Sequence, residues 1–124
     1  MEKPFSNYIA CIGSNDPDCA NLIEKAVEFL IENCLCKLIE SSPVYHCEDS
    51  MYGNKIINFK SIYTIDQLIR EIKSFEAVCG RNPEKKKAGI IPIDIDILVA
   101  DGKILRNDYH TPYVQQGLAY LQKH

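Results

Sequence analysis

Residues Ile93 to Val99, IDIDILV, alternate with a period of two, and a strand with that period has two unlike faces. Ile93, Ile95, Ile97 and Val99 are expected on one face, beneath helices. Asp94, Asp96 and Leu98 then point the other way. A fold that buries the isoleucines must leave the two carboxylates together on an uncovered face, roughly 7 Å apart. Asp is depleted in strands, where a merely solvated face would carry Thr, Lys or Glu. The pair therefore asks for a chemical reason.

The rest of the chain supplies the partners for that strand. Tyr8 to Ile12 reads as a short apolar strand closed by Gly13-Ser14-Asn15, and Asp16-Pro17 starts a helix with the buried stripe Leu22, Ile23, Ala26, Val27, Leu30 and Cys34. Two extended runs follow, Lys37 to Cys47 and Lys55 to Tyr63, joined across the turn-rich EDSMYGN. Thr64 to Gln67 is a capping box, opening a helix with Leu68, Ile72, Phe75 and Cys79 inward and Gly80 at its end. A polar loop, RNPEKKKAG, leads into the acidic strand, and a short β/α tail follows Asp101-Gly102. This order, β-α-β-β-α-β plus a tail, is that of an α+β, ferredoxin-like antiparallel sheet with both helices on one face. At 124 residues, the chain has the length of one domain, taken as 1–124.

Composition narrows the function. The net charge of −3 offers no broad basic surface for nucleic acid or anionic membrane, and no apolar run approaches a membrane span or a secretory signal, so a cytoplasmic protein is expected. The six cysteines contain no C-x-x-C pair and are read as buried thiols rather than metal ligands. The oxygen ligands of Asp94 and Asp96 instead suit magnesium. Just upstream, Arg81, Lys85, Lys86 and Lys87 gather cations suited to phosphate oxygens, so acids and bases together point to phosphoryl chemistry.

Five segments, in order, resemble the 6-hydroxymethyl-7,8-dihydropterin pyrophosphokinase family of folate biosynthesis. YIACIGSN resembles its Y-I-x-L-G-S-N opening, ESSPVYHCED its S-S-x-V-Y-x-T-x-P, IINF its F-L-N, FEAVCGR its I-E-x-x-x-G-R and IDIDIL its D-L-D-I-L. The resemblance implies transfer of the β,γ-pyrophosphate of ATP to a 6-hydroxymethyl-dihydropterin, releasing AMP. It implies two Mg²⁺ ions on Asp94 and Asp96, Arg81 in the catalytic set, and substrate contacts from Asn58, Glu76, Cys47 and Gly13. Lys85, Lys86 and Lys87 are expected to fold over the triphosphate as a mobile loop, and Tyr113 to stand where the family places a nucleotide-contacting histidine. The implied partners are small molecules, ATP and the pterin, with neither nucleic acid nor membrane. Nothing in the sequence indicates an oligomeric state.

The departures from the family pattern are specific. Gly89-Ile90-Ile91-Pro92 stands for G-P-R-T, so Ile91 replaces a phosphate-binding arginine. Cys47 replaces a pterin-contacting threonine and Asp49 a proline. Ile56 stands where an aromatic or apolar residue precedes the asparagine, and a C-terminal segment of the family lies beyond His124. Two other classes share the strand order: a catalytically impaired paralogue that binds nucleotide, pterin or a protein partner, and an RNA-binding module. The second ranks last, because an RNA-binding sheet presents aromatic and basic residues where this one presents Asp94 and Asp96.

Overall fold

The computed structural model describes residues 4–46 and 51–121. Its elements are β1 (Ser6–Ser14), α1 (Cys19–Asn33), β2 (Lys37–Ser41), β3 (Tyr45–His46), β4 (Gly53–Ser61), α2 (Ile65–Cys79), α3 (Pro83–Lys87), β5 (Asp94–Ala100), β6 (Lys103–Ile104), a 3-10 turn (Asn107–His110) and α4 (Pro112–Leu121). They build a mixed α+β structure on an antiparallel sheet in the order β2-β4-β1-β5-β6, with β3 also pairing β4. Among the described residues no helix is long and apolar enough to cross a membrane.

Local chemistry sets most boundaries. The capping box at the start of α2 is present in both directions: Gln67 N–H donates to Thr64 Oγ1 at 3.2 Å and Thr64 N–H to Gln67 Oε1 at 2.8 Å. The run from Lys37 is not one strand, because Pro43 lacks an N–H and interrupts the ladder. Ser42 bridges the gap to β4, its N–H donating to Ile56 O at 2.8 Å and its Oγ accepting from Ile56 N at 2.9 Å. Helix α1 begins later than Asp16-Pro17 suggests. Asp16 instead turns the chain, its side chain accepting from Asp18 N at 2.9 Å and its carbonyl from Cys19 N at 3.0 Å.

Two apolar clusters flank the sheet. On one face Ile23, Ala26, Val27 and Leu30 of α1 and Leu68 and Ile72 of α2 meet Tyr8, Ala10, Ile12, Ile57, Phe59, Ile93, Ile95 and Ile97. The other face is not open as expected. Val114, Leu118 and Leu121 of α4 cover Cys11, Ile56, Leu98 and Val99 there, with Tyr45 alongside. Val99 is thus on the opposite face from the isoleucines. The cause is a bulge: Ile9 pairs with Val99 but Ala10 with Ile97, which leaves Leu98 as an extra residue and turns Val99 towards α4. Gly117 lets α4 come this close, since a β-carbon there would run into Ile56 Cγ1 and the Tyr45 hydroxyl. Because α4 covers part of that face, Asp94 and Asp96 lie beside it rather than beneath it.

Candidate active site

Strand register assembles the site. Asp94 pairs with Gly13, and Gly13 on its other side with Asn54; one row along, Asp96 pairs with Cys11. On this face a cavity of about 330 Å³ is lined by Cys11, Gly13, Tyr52, Asn54, Asp94, Asp96 and Tyr113. Gly13 permits the tight fit, because a β-carbon there would stand 3.2 Å from Asn54 Oδ1.

A second cavity of about 410 Å³ lies between α2 and β5, reaching Leu105 and Arg106. Its walls include Ile65, Ile69, Lys73 and Glu76, and both Asp94 and Asp96 line it too. The two carboxylates are the boundary shared by both cavities. Among the described residues β6 pairs Val99 and Ala100, and no strand lies along the outer edge of β5 near Ile95. Glu76 satisfies that edge by accepting from Ile95 N at 2.8 Å, which anchors α2 against the acidic strand.

Electrostatics mark the same place. Burial, and then the charge of Glu76, raise the Asp94 carboxyl above the usual carboxylate range; burial, and then Asp94, raise that of Asp96. Glu76 is raised as well, chiefly by burial. Three carboxyl groups thus repel one another, Glu76 and Asp96 half-buried and Asp94 at the exposed start of β5, and Arg106 Nη1, 3.7 Å from Asp96 Oδ1, offsets part of that repulsion. Among the described residues no three His, Cys, Asp or Glu side chains form a metal-binding group. The donors are all oxygen, which fits a hard divalent cation drawing its other ligands from substrate and water. The Tyr113 phenol, pushed up to about 12 chiefly by burial, stays a neutral donor and reaches Asp108 Oδ2 at 3.3 Å.

Of the residues singled out in the sequence, Gly13, Asp94, Asp96, Tyr113 and Glu76 come together around these cavities. Asn58 is not among the lining residues. It sits on β4 four residues beyond Asn54, paired with Ile9 and Glu40, and its buried Oδ1 has no hydrogen-bond partner among the described residues. Asn54 lines the first cavity where the expected substrate contact, Asn58, does not, and the signal was legible: Tyr52-Gly53-Asn54 has the aromatic-x-Asn spacing of F-L-N better than IINF does. Arg81 is exposed just past α2 and lines neither cavity. The lysine run is no irregular loop but the short helix α3, capped by Asn82 Oδ1 accepting from Lys85 N at 3.1 Å. Lys85 is held by Asp16, and Lys86 and Lys87 are exposed, away from both cavities. Cys47 and Asp49 lie outside the described residues. The Gly-Ser-Asn turn has a second duty. Asn15 clamps the 89–91 segment, its Nδ2 donating to Gly89 O at 3.2 Å and its Oδ1 accepting from Ile91 N at 2.5 Å.

An α+β fold with paired carboxylates between two cavities defines a class of protein with room for a ligand on either side of an acidic pair. The sequence comparison gives that class its family: the family model for 7,8-dihydro-6-hydroxymethylpterin-pyrophosphokinase (HPPK) matches residues 8–122, nearly the whole chain. The chain belongs to this family of pyrophosphokinases of folate biosynthesis, which use ATP and a pterin. No curated protein matches the chain.

Proposed function

We propose that the chain transfers pyrophosphate from ATP to 6-hydroxymethyl-7,8-dihydropterin in a Mg²⁺-dependent reaction that releases AMP, in the cytoplasm and on a ferredoxin-like sheet. The observation that carries this reading is that Asp94 and Asp96 line both cavities at once. A flat bicyclic ring suits the first cavity, where Asn54 supplies amide donors and an acceptor and Tyr52 an aromatic surface. The nucleotide suits the second, whose apolar wall of Ile65 and Ile69 faces the charged Lys73 and Arg106. Asp94 and Asp96 would hold two Mg²⁺ ions, which neutralise charge on the triphosphate when bound.

What the chain itself does is position and shield. Asn54 and Tyr52 orient the pterin so that its hydroxymethyl group faces the acidic boundary, and the Glu76–Ile95 bond keeps α2 and β5 at a fixed separation across the nucleotide. No covalent protein intermediate is required. Ile91, 45 % exposed, brings no cation to the phosphates. It favours slower turnover than arginine would give there, since losing one preorganised donor costs about 3 to 4 kcal/mol of transition-state stabilisation. The test is AMP formation from ATP with purified protein, with pterin and Mg²⁺ each added or withheld. AMP that requires both supports the reading. Mg²⁺-dependent ATP binding without AMP at high enzyme concentration favours a catalytically impaired paralogue.

A further inference from the structure

We propose that Arg106 is the guanidinium with which this chain grips the nucleotide's triphosphate, in place of the arginine that Ile91 has displaced; the inference rests on the nucleotide occupying the second cavity. Among the residues lining either cavity, Lys73 and Arg106 carry positive charge. The basic residues that lead into the acidic strand are elsewhere: Lys85 is tied to Asp16, and Arg81, Lys86 and Lys87 line neither cavity.

Arg106 is held at its root and free at its tip. The preceding Leu105 N–H donates to Leu98 O at 2.8 Å, which fixes the backbone beside β5, and Arg106 itself caps the 3-10 turn. Its side chain is 49 % exposed, and Nη1 stands 3.7 Å from Asp96 Oδ1, a separation too long for a hydrogen bond. This loose pair offsets charge at Asp96 without locking the guanidinium. Once Asp96 engages a divalent cation its charge is satisfied, and the guanidinium's strongest remaining partner is the polyanion beside it. A planar fork of N–H donors suits phosphate oxygens better than the ammonium of Lys73 does.

The same geometry gives Arg106 two opposed effects, and a merely structural residue would not show both. It competes with a cation for Asp96, and it attracts the triphosphate. The experiment compares wild type, Arg106→Ala and Arg106→Lys by calorimetry with Mg²⁺ alone and with a non-hydrolysable ATP analogue plus Mg²⁺. An NMR titration with adenosine, which carries no phosphate, completes the set. In Arg106→Ala the analogue should bind about tenfold or more weakly, the loss of one charge-assisted contact, with Arg106→Lys in between. Mg²⁺ alone should bind at least as tightly as in wild type, and adenosine should change by less than about twofold, within the spread of a neutral surface substitution. Unchanged analogue binding in Arg106→Ala overturns the inference while leaving the nucleotide site standing. Equal weakening for adenosine and the analogue also overturns it, since Arg106 would then shape the base pocket. Wild type that fails to bind the analogue with Mg²⁺ overturns both this inference and the functional reading beneath it.

Discussion

The ammonium of Lys85 stands 2.6 Å from Oδ2 of Asp16, a carboxylate almost wholly buried in the turn between β1 and α1. The pair pins helix α3 to the turn that also clamps the 89–91 segment through Asn15. Lys85 is therefore engaged within the fold and lines neither cavity.

Replacing Lys85 with alanine should destabilise the protein by about 1 to 2 kcal/mol, the scale of a charge-assisted hydrogen bond that is partly exposed. The Lys85 ammonium and the Asp18 N–H hold the Asp16 carboxyl below the usual carboxylate range. A depressed folded-state value means that the pair's contribution is complete above the unfolded Asp value of about 3.9 and is lost as pH falls through the folded value. Chemical denaturation of wild type and variant should thus differ at pH 7 and converge in strong acid. Lys86→Ala with Lys87→Ala should leave both stability and ATP binding unchanged, as measured by denaturation and calorimetry.

Asp96→Asn is expected to trade binding for stability. Burial and the neighbouring Asp94 raise the Asp96 carboxyl in the folded state, so its ionised form costs stability at neutral pH. The amide should gain about 1 kcal/mol at pH 7, less than full repulsion because Arg106 offsets part of it. The gain should shrink as pH is lowered towards 4, where the wild-type carboxyl takes up its proton. Thermal unfolding across that range checks the sign, and calorimetry with an ATP analogue should show Mg²⁺-dependent binding lost.

Asn54→Ala should weaken pterin binding about tenfold, whereas Asn58→Ala should change it less than about twofold, on the scale of removing a ligand hydrogen bond against removing none. Fluorescence titration with the pterin distinguishes them. Equal losses in the two variants would remove Asn54 from the site.

Gly117→Ala should destabilise by about 1 to 3 kcal/mol, the range for overpacking a close contact. The added methyl must displace Ile56 or the Tyr45 hydroxyl, which donates to Tyr113 O at 2.6 Å. Because Tyr113 lines the first cavity, pterin affinity should fall with stability, and the two measurements together check that α4 shapes the site.

How far the site could be read from the chain differs residue by residue. The capping box, the helix stripes and the alternation of Asp94 and Asp96 against the isoleucines are consequences of neighbours within a few positions, and each stands in the structure as the chain implies. Val99 and the lysine run took places that no local pattern carries, whereas for Asn58 the local spacing of Tyr52-Gly53-Asn54 already pointed to the better match. A one-residue bulge opposite Ile9 inverted Val99, and the register of β4 against β1 put Asn54, not Asn58, beside Gly13.

By itself, then, the sequence determined which residue types occur at which period, and with them the element order, the acidic pair and the family. Those properties follow from short-range geometry, in which each residue's facing is set by its own strand or helix. Which side chains stand across from Asp94 and Asp96 was decided only by the tertiary structure. Arg106 comes to Asp96 through the hairpin after β5, Lys85 is drawn away by Asp16 some seventy positions earlier, and α4 folds back over part of the second face of the sheet. Such pairings depend on register and on packing between distant segments, where a shift of a single residue exchanges one face for the other.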